Sequence, residues 1–130
     1  VLAACADWQT ARQRAVCNVF KGMNPWTEHY SALEAEVPDP AAPETCLNQA
    51  LLHSLLQAEQ LIVAGEASSH CVRSTVEHLL EHAPAGFAQR VVLLTDAMSP
   101  VHGFAAEHAA FLQRMQAAGV QLSTTADLRL

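Results

Sequence analysis

Cys71 lies in a setting that favours a nucleophilic thiol. The apolar run 61–64 predicts a buried strand, Gly65 ends it, and the small residues up to Ser69 predict a tight turn before a helix. Ser68 or Ser69 could cap that helix. The unpaired backbone N–H groups at a helix N-terminus stabilise a thiolate and can also receive an oxyanion. The pattern therefore predicts attack of the Cys71 sulfur on a carbonyl group, and the alternative is a small buried cysteine.

Lys21, the single lysine of the chain, is a second candidate for chemistry. It follows the apolar run 15–20, which predicts a strand, and precedes Gly22 and a long connection up to Pro43. Connections between strands and helices are commonly about 2–6 residues long, so a longer one in a compact domain usually has a function. Ligands of open parallel sheets bind beyond the carboxyl ends of strands, which favours a functional ammonium over a solvated surface lysine. Notable residues of the connection are Trp26, His29 and Tyr30.

Other titratable residues near the predicted strand ends have a more ordinary explanation. Asp96 follows an apolar run and could act as an acid, but such a residue more often caps the next turn. His78 and His82 have the i, i+4 spacing of metal ligands, yet flanking glutamates favour a solvated helix face. His70 precedes Cys71, and adjacent helix residues point apart, so we expect His70 in a pocket wall rather than as a base.

These candidates require a scaffold in which strands and helices alternate. Continuous apolar runs predict strands buried on both faces, and helical periodicity fills the segments between them. Alternation at this spacing predicts an α/β fold with a parallel, Rossmann-like sheet in three layers. The predicted strands are 15–20, 61–64, 91–94 and 120–122, and the predicted helices are 1–13, 44–60, 69–83 and 103–118.

Composition limits the classes of protein to consider. The 130 residues suffice for one domain, and 51% hydrophobic residues suffice for a packed core. No stretch approaches the roughly 20 apolar residues of a membrane span. The net charge of −6 argues against nucleic acids and anionic membranes as partners. The four cysteines have neither CxxC nor zinc-ligand spacing and lie in apolar runs, which favours free thiols in the reducing cytoplasm.

Five segments together form a recognisable pattern. They are Phe20-Lys21-Gly22, Tyr30-Ser31-Ala32-Leu33, Gly65-x-Ala67-Ser68-Ser69-His70-Cys71-Val72-x-x-Thr75, Thr95-Asp96-Ala97 and Gly119-Val120-Gln121-Leu122. The pattern resembles the isochorismatase-like cysteine hydrolases, with the nicotinamidase-like branch nearest. The resemblance extends over residues 14–128, and its most specific part is the cysteine motif with the lysine upstream.

The resemblance implies an Asp–Lys–Cys triad in which Cys71 is the nucleophile and Lys21 is the lysine. It further implies a cis peptide bond between Glu66 and Ala67, and an oxyanion hole formed by the backbone N–H groups of Ala67 and Cys71. The reaction would be hydrolysis of a non-peptide C–N bond in a small amide through a thioacyl-enzyme. The residues expected in the substrate pocket are Tyr30, Trp26 and His70.

The triad aspartate and the metal ligands of such enzymes belong to segments that this sequence lacks. The resemblance therefore implies that residues 1–130 are the C-terminal part of a single domain, with about four strands of a six-stranded sheet in the order 3-2-1-4-5-6. Without strands 1 and 2, two apolar strand edges would lie open. We expect an N-terminal segment of the same domain, or a complementary chain, to fill the gap. We expect no cofactor within this chain, and a divalent metal would need ligands outside it.

Two functions from different classes remain open. One is a small-molecule amide hydrolase that assembles as a homo-oligomer, and the other is a non-catalytic isochorismatase-like binding or assembly module. A flavodoxin-like cofactor binder is disfavoured, because no GxGxxG or phosphate loop follows a predicted strand. An aspartate within hydrogen-bond reach of Cys71 or Lys21 would favour the hydrolase.

Overall fold

The structure is a computed structural model that describes residues 1–129. Helices and strands alternate in its second half, as the apolar runs predicted. None of the helices in this range is both long and apolar enough to cross a bilayer. The helices are α1 (Leu2–Arg12), α2 (Gln49–Leu56), α3 (Cys71–His82) and α4 (Ala105–Ala117), the strands are β1 (Leu61–Glu66), β2 (Val91–Ser99) and β3 (Gln121–Ser123), and short 3₁₀ turns span Pro43–Thr45 and Phe87–Arg90.

The strands form one open, parallel sheet with the order β1-β2-β3. Leu61 of β1 lies opposite Val91 of β2, and the register shifts between Val63 and Gly65. Helix α3 connects β1 to β2 and α4 connects β2 to β3, because parallel neighbours require a crossover. The fold class is thus the predicted α/β class, with three strands in the described range where about four were expected.

The run 15–20 forms no strand, and here the prediction differs from the structure. A strand needs a neighbour for its backbone N–H and C=O groups, and the described sheet ends at β1. The side chain of Phe20 is accordingly 82% exposed. β1 is an edge strand of the sheet and has a neighbour on one side only, and its residues alternate between half-buried and exposed instead of being buried on both faces.

The hydrophobic core joins β2 to α3 and α4. Val76 and Leu79 of α3, Leu93 of β2 and Phe111 of α4 are each at most 1% exposed. Burying a side chain of this size contributes about 1.5–3 kcal/mol relative to leaving it in water. This packing sets the position of α3, and with it the position of the thiol at the beginning of that helix.

The long connection before α2 is anchored to the core. Leu33 and Ala35 are each 1% exposed, and Leu33 belongs to the main core cluster. The Leu33 carbonyl accepts a hydrogen bond from the N–H of Asn48 at 2.7 Å, and the N–H of Ala35 donates to the carbonyl of Thr45 at 2.9 Å. These contacts restrict the residues just before Leu33, which carry the aromatic and histidine side chains of the loop.

Candidate active site

The turn between β1 and α3 places Cys71 at the first residue of α3. The carbonyl of Ala67 accepts a hydrogen bond from the N–H of His70 at 3.0 Å, which closes the turn. The N–H of Ser68 donates to the carbonyl of Ser99 at 2.9 Å and ties the turn to the end of β2. The thiol therefore lies at the carboxyl end of the sheet, at the strand-to-helix turn that the sequence predicted.

Neither Ser68 nor Ser69 caps α3, so this prediction is wrong. His70 occupies the N-cap position, and no side chain accepts a capping hydrogen bond. The Ser69 hydroxyl instead pairs with Nδ1 of His70 at 2.8 Å and accepts from the N–H of Val101 at 3.0 Å. The first turn of α3 consequently keeps N–H groups that no side chain covers.

Lys21 and Cys71 lie side by side although 50 positions separate them in the chain. The Lys21 Nζ is 3.5 Å from the Cys71 Sγ and donates a hydrogen bond to the carbonyl of His29 at 2.7 Å. Lys21 is exposed and Cys71 is half-buried, so the pair faces the surface. Among the side chains of residues 1–129, no carboxylate forms an ion pair with Lys21.

His29 belongs to the site, although the sequence predicted only that its loop is functional and gave His29 itself no role. Its Nδ1 accepts a hydrogen bond from the N–H of Gly22 at 2.9 Å, so the neutral ring carries its proton on Nε2. Burial lowers the pKa of His29 below its ordinary value of 6.5, and the Lys21 ammonium lowers this pKa further. The unusual length of the connection was the only sequence signal for this residue.

A concavity of about 220 Å³ opens beside the Lys21–Cys71 pair. Its lining is apolar except for Lys21, Glu66, Cys71 and Thr75. The Glu66 carboxylate is occupied there, because it accepts the hydroxyl of Ser99 at 2.8 and 3.0 Å. The volume lies below the roughly 300–1,000 Å³ of pockets for drug-sized ligands, which is compatible with a small substrate.

An aromatic group lies next to the nucleophile. The rings of Tyr30 and His70 meet edge to face with centroids 5.5 Å apart, and the centroid of Phe104 is 4.7 Å from that of His70. The sequence did not single out Phe104. A hydrogen bond to the Glu28 carboxylate, together with its charge, raises the pKa of Tyr30. Trp26 does not join this group, since it is 91% exposed and lines a separate concavity.

The backbone at the turn carries two donors without an internal partner. The peptide bond between Glu66 and Ala67 is cis, as the resemblance implied. Within the described range, the N–H groups of Ala67 and Cys71 donate to no protein acceptor. Such groups must be satisfied by solvent or by a ligand, and preorganised N–H donors are the means by which enzymes stabilise an oxyanion.

The other titratable candidates make contacts within the fold. Glu34 Oε1 lies 3.4 Å from His78 Nδ1 and 3.2 Å from His82 Nε2, so the two imidazoles face a carboxylate as well as solvent. Asp96 accepts hydrogen bonds from the N–H and the hydroxyl of Thr125 at 2.8 and 2.6 Å, which lowers the pKa of Asp96. Asp96 thus has a structural role, but it ties β2 to the segment after β3 rather than capping the next turn.

The residues present do not fit a metal centre. Across positions 1–129, no three His, Cys, Asp or Glu side chains are arranged to hold a metal ion. A metal of the kind that the resemblance implies would therefore need ligands other than these, and the chemistry proposed for this chain has no metal-dependent step.

The chain resembles solved structures, among them a nicotinamidase and a pyrazinamidase. The yeast nicotinamidase Pnc1p superposes with a TM-score of 0.60 at 15% identity, over 90% of this chain and 49% of that chain. The pyrazinamidase of Pyrococcus horikoshii, solved in complex with zinc, superposes with a TM-score of 0.57 at 21% identity, over 85% of this chain and 56% of that chain. The chain thus spans about half the length of these two proteins.

The sequence comparisons give the family directly. No curated protein matches the chain in sequence. The profile of the isochorismatase domain matches residues 7–127, which is nearly the whole of the sequence. The chain therefore belongs to the isochorismatase domain family.

Proposed function

We propose that this chain carries the nucleophile of a cysteine hydrolase that cleaves a small amide. The observation that carries the proposal is the distance of 3.5 Å between the Lys21 Nζ and the Cys71 Sγ. An ammonium at this distance stabilises a thiolate by its charge. The names of the two structural relatives, a nicotinamidase and a pyrazinamidase, support a primary carboxamide on a small ring as the substrate.

The reaction begins when the Cys71 sulfur attacks the amide carbon and the carbonyl oxygen becomes an oxyanion. The N–H groups of Ala67 and Cys71 donate to that oxygen. The C–N bond then breaks, the nitrogen leaves as ammonia with the proton of the thiol, and the acyl group remains on sulfur as a thioester. Water attacks the thioester, its oxygen enters the carboxylic acid and one of its protons returns to the thiol. Lys21 balances the negative charge throughout.

The proton needs a carrier between the thiol and the nitrogen. Because no carboxylate of residues 1–129 pairs with Lys21, we assign this role to an acidic side chain outside the described range. Residues 1–130 would then be the C-terminal part of one domain, completed by an N-terminal segment or a complementary chain. Three observations support this: one edge of β1 is unpaired, the run 15–20 is unpaired, and the solved relatives are about twice as long.

The proposal extends to the substrate pocket, the compartment and the assembly of the enzyme. We assign Tyr30 and His70 to the substrate wall because their rings meet edge to face and His70 directly precedes Cys71 in the chain. Trp26 belongs to this wall only if the completed domain brings its loop closer. Free thiols at the four cysteines support a reducing cytoplasm, and exposed apolar side chains outside the run 15–20, such as Val37, support homo-oligomer formation.

A non-catalytic binding or assembly module is the second candidate. The observation in its favour is that Lys21 has no carboxylate partner among the residues described. In such a module Cys71 would be an ordinary half-buried thiol, and Lys21 a surface cation.

Alkylation and hydrolysis assays on the full-length protein separate the two functions. Iodoacetamide at neutral pH should modify Cys71 at least about tenfold faster than Cys46, which is also half-buried and whose thiol donates to the carbonyl of Asp39 at 3.6 Å. Ammonia release from nicotinamide or pyrazinamide should disappear in Cys71→Ala and persist in Cys46→Ala. Equal alkylation of both cysteines, together with no ammonia release from any carboxamide tested, would favour the binding module.

A further inference from the structure

We infer that Thr75 is a positioning residue for the Lys21–Cys71 pair, an inference that rests on the proposed function. Thr75 lies one helical turn after Cys71 on α3. Its hydroxyl donates to the carbonyl of Cys71 at 2.7 Å and accepts a hydrogen bond from the N–H of Ala32 at 3.0 Å. A single side chain thereby joins the helix of the nucleophile to the loop before α2.

That loop determines where the ammonium lies. His29, three residues before Ala32, accepts the hydrogen bond of the Lys21 Nζ at 2.7 Å, whereas Nζ is 3.5 Å from sulfur. Each length is ordinary for its acceptor, since hydrogen bonds to sulfur are longer than those to oxygen, so the loop holds Lys21 together with the thiol. The contacts therefore close a circuit that runs from Cys71 through Thr75, the loop and Lys21 back to the Cys71 sulfur.

The circuit requires a hydroxyl at position 75. The one proton of Oγ1 goes to the Cys71 carbonyl, which leaves a lone pair for the N–H of Ala32. Valine has nearly the same shape as threonine but offers no hydrogen-bond acceptor. The partly buried N–H of Ala32 would then turn towards water, and the loop would move away from α3. Because Leu33 remains anchored in the core, the expected effect is a local shift of the loop rather than unfolding.

A double-mutant cycle between Thr75→Val and Lys21→Met tests the inference in the full-length protein. The readout is the rate at which iodoacetamide modifies Cys71, with Cys46 as the internal reference. Thr75→Val should slow the modification about tenfold, since small misplacements of a reacting group cost 10- to 100-fold in rate. In the Lys21→Met background the same substitution should change little, because Thr75 acts through the ammonium. Thr75→Ser keeps both hydrogen bonds and should react like the wild type.

Two outcomes would overturn the inference, and a third would overturn the proposed function. A Thr75→Val effect of equal size in both backgrounds would make Thr75 a general structural residue and overturn the inference, as would an unchanged rate in Thr75→Val. A wild-type Cys71 that reacts no faster than Cys46 would instead overturn the proposed function. Circular dichroism reports folding, and if Thr75→Val does not fold, Thr75→Ala replaces it in the same cycle with the same expected outcomes.

Discussion

Lys21 and His29 fix each other: the Lys21 Nζ donates to the His29 carbonyl at 2.7 Å, while the N–H after Lys21 donates to the His29 ring at 2.9 Å. The first contact holds the cation and the second holds the imidazole. Both contacts join the end of the run 15–20 to the long loop before α2. The ammonium consequently lies beside the Cys71 sulfur without a carboxylate of the described residues to hold it there.

Protonation of His29 at acidic pH should lower the stability of the folded protein. The pKa of His29 is lowered below 6.5 by burial and by the Lys21 ammonium, so the unfolded chain binds the proton before the folded chain does. Above pH 6.5 the ring is neutral in both states and contributes no pH dependence. As the pH falls through 6.5 towards the folded pKa, stability should decrease.

His29→Asn provides the matched control, because its side-chain oxygen can accept the Gly22 N–H and does not titrate. The free energy of unfolding from denaturant titrations, measured between neutral pH and about pH 5.5, should fall more steeply in the wild type than in His29→Asn. Parallel pH curves for the two proteins would contradict the assignment.

Removal of the Lys21 charge should slow the chemistry at Cys71. Lys21→Met is expected to lower the alkylation rate of Cys71 by about tenfold, to the level of Cys46. It should lower amide hydrolysis by about 100-fold or more, the size of effect seen when one electrostatic stabiliser of the transition state is removed. Arg73→Met is the control, since Arg73 lies on the same helix as Cys71 but forms an ion pair with Glu77 at 3.8 Å. Equal rates in Lys21→Met and the wild type would show that the ammonium does not act on the sulfur.

Asp96 should matter for structure and leave the thiol unchanged. Asp96→Ala removes both acceptors of Thr125, so the Thr125 amide should exchange with deuterium faster, while Asp96→Asn keeps one acceptor and should protect it. The rate of Cys71 alkylation should be the same in all three proteins. A loss of Cys71 reactivity in Asp96→Ala alone would instead place Asp96 in the catalytic machinery.

Acid should also release the contact between Asp96 and Thr125. The pKa of Asp96 is lowered from 3.8, first by the Thr125 hydroxyl and then by its N–H. The contribution to stability is therefore fully present above pH 3.8 and lost as the pH falls through the folded pKa. The protection factor of the Thr125 amide, which removes the intrinsic pH dependence of exchange, should fall over that acidic window in the wild type and stay constant there in Asp96→Asn.

Hydrogen exchange should reveal the unpaired backbone of residues 17–20, next to the open edge of β1. In a protein of residues 1–130 alone, amides of Cys17 to Phe20 should exchange rapidly, because no strand accepts their hydrogen bonds, whereas the N–H of Val16 donates to the Gln9 side chain at 2.8 Å. Addition of the completing segment should protect them. Val92 and Leu93 of β2 are buried and paired, so their amides should be protected in both samples. Strong protection of Cys17 to Phe20 without a partner would contradict the proposed gap.

The local pattern of apolar residues was sufficient to predict the strands and helices that pack against their neighbours in the sequence. The runs 61–64 and 91–94 became strands, and the periodic segments 69–83 and 103–118 became helices with ends within two residues of the prediction. Periodicity succeeds here because each element buries its own apolar side against a neighbour. It failed at 15–20, because a strand depends on a partner that apolar content does not reveal.

The serine caps failed for a related reason. Ser69 carries the residue type of an N-cap, but Val101 and the His70 ring lie within its reach and occupy its hydroxyl. Val101 is 32 positions away in the chain, so the competition could not be seen locally. Phe104 was missed in the same way, since its contact with His70 arises from the connection between β2 and α4.

By itself, the sequence determined the α/β class, the thiol at a strand-to-helix turn and the single lysine on the other side of a long loop. Only the tertiary structure decided that this lysine and Cys71 are neighbours, that His29 rather than another of the seven histidines holds the cation, and that the exposed Trp26 lies apart from the Tyr30–His70 contact. The physical reason is that residue type and periodicity report what a segment can bury. The distance between side chains 50 positions apart depends on how the core places the loop, here through the burial of Leu33.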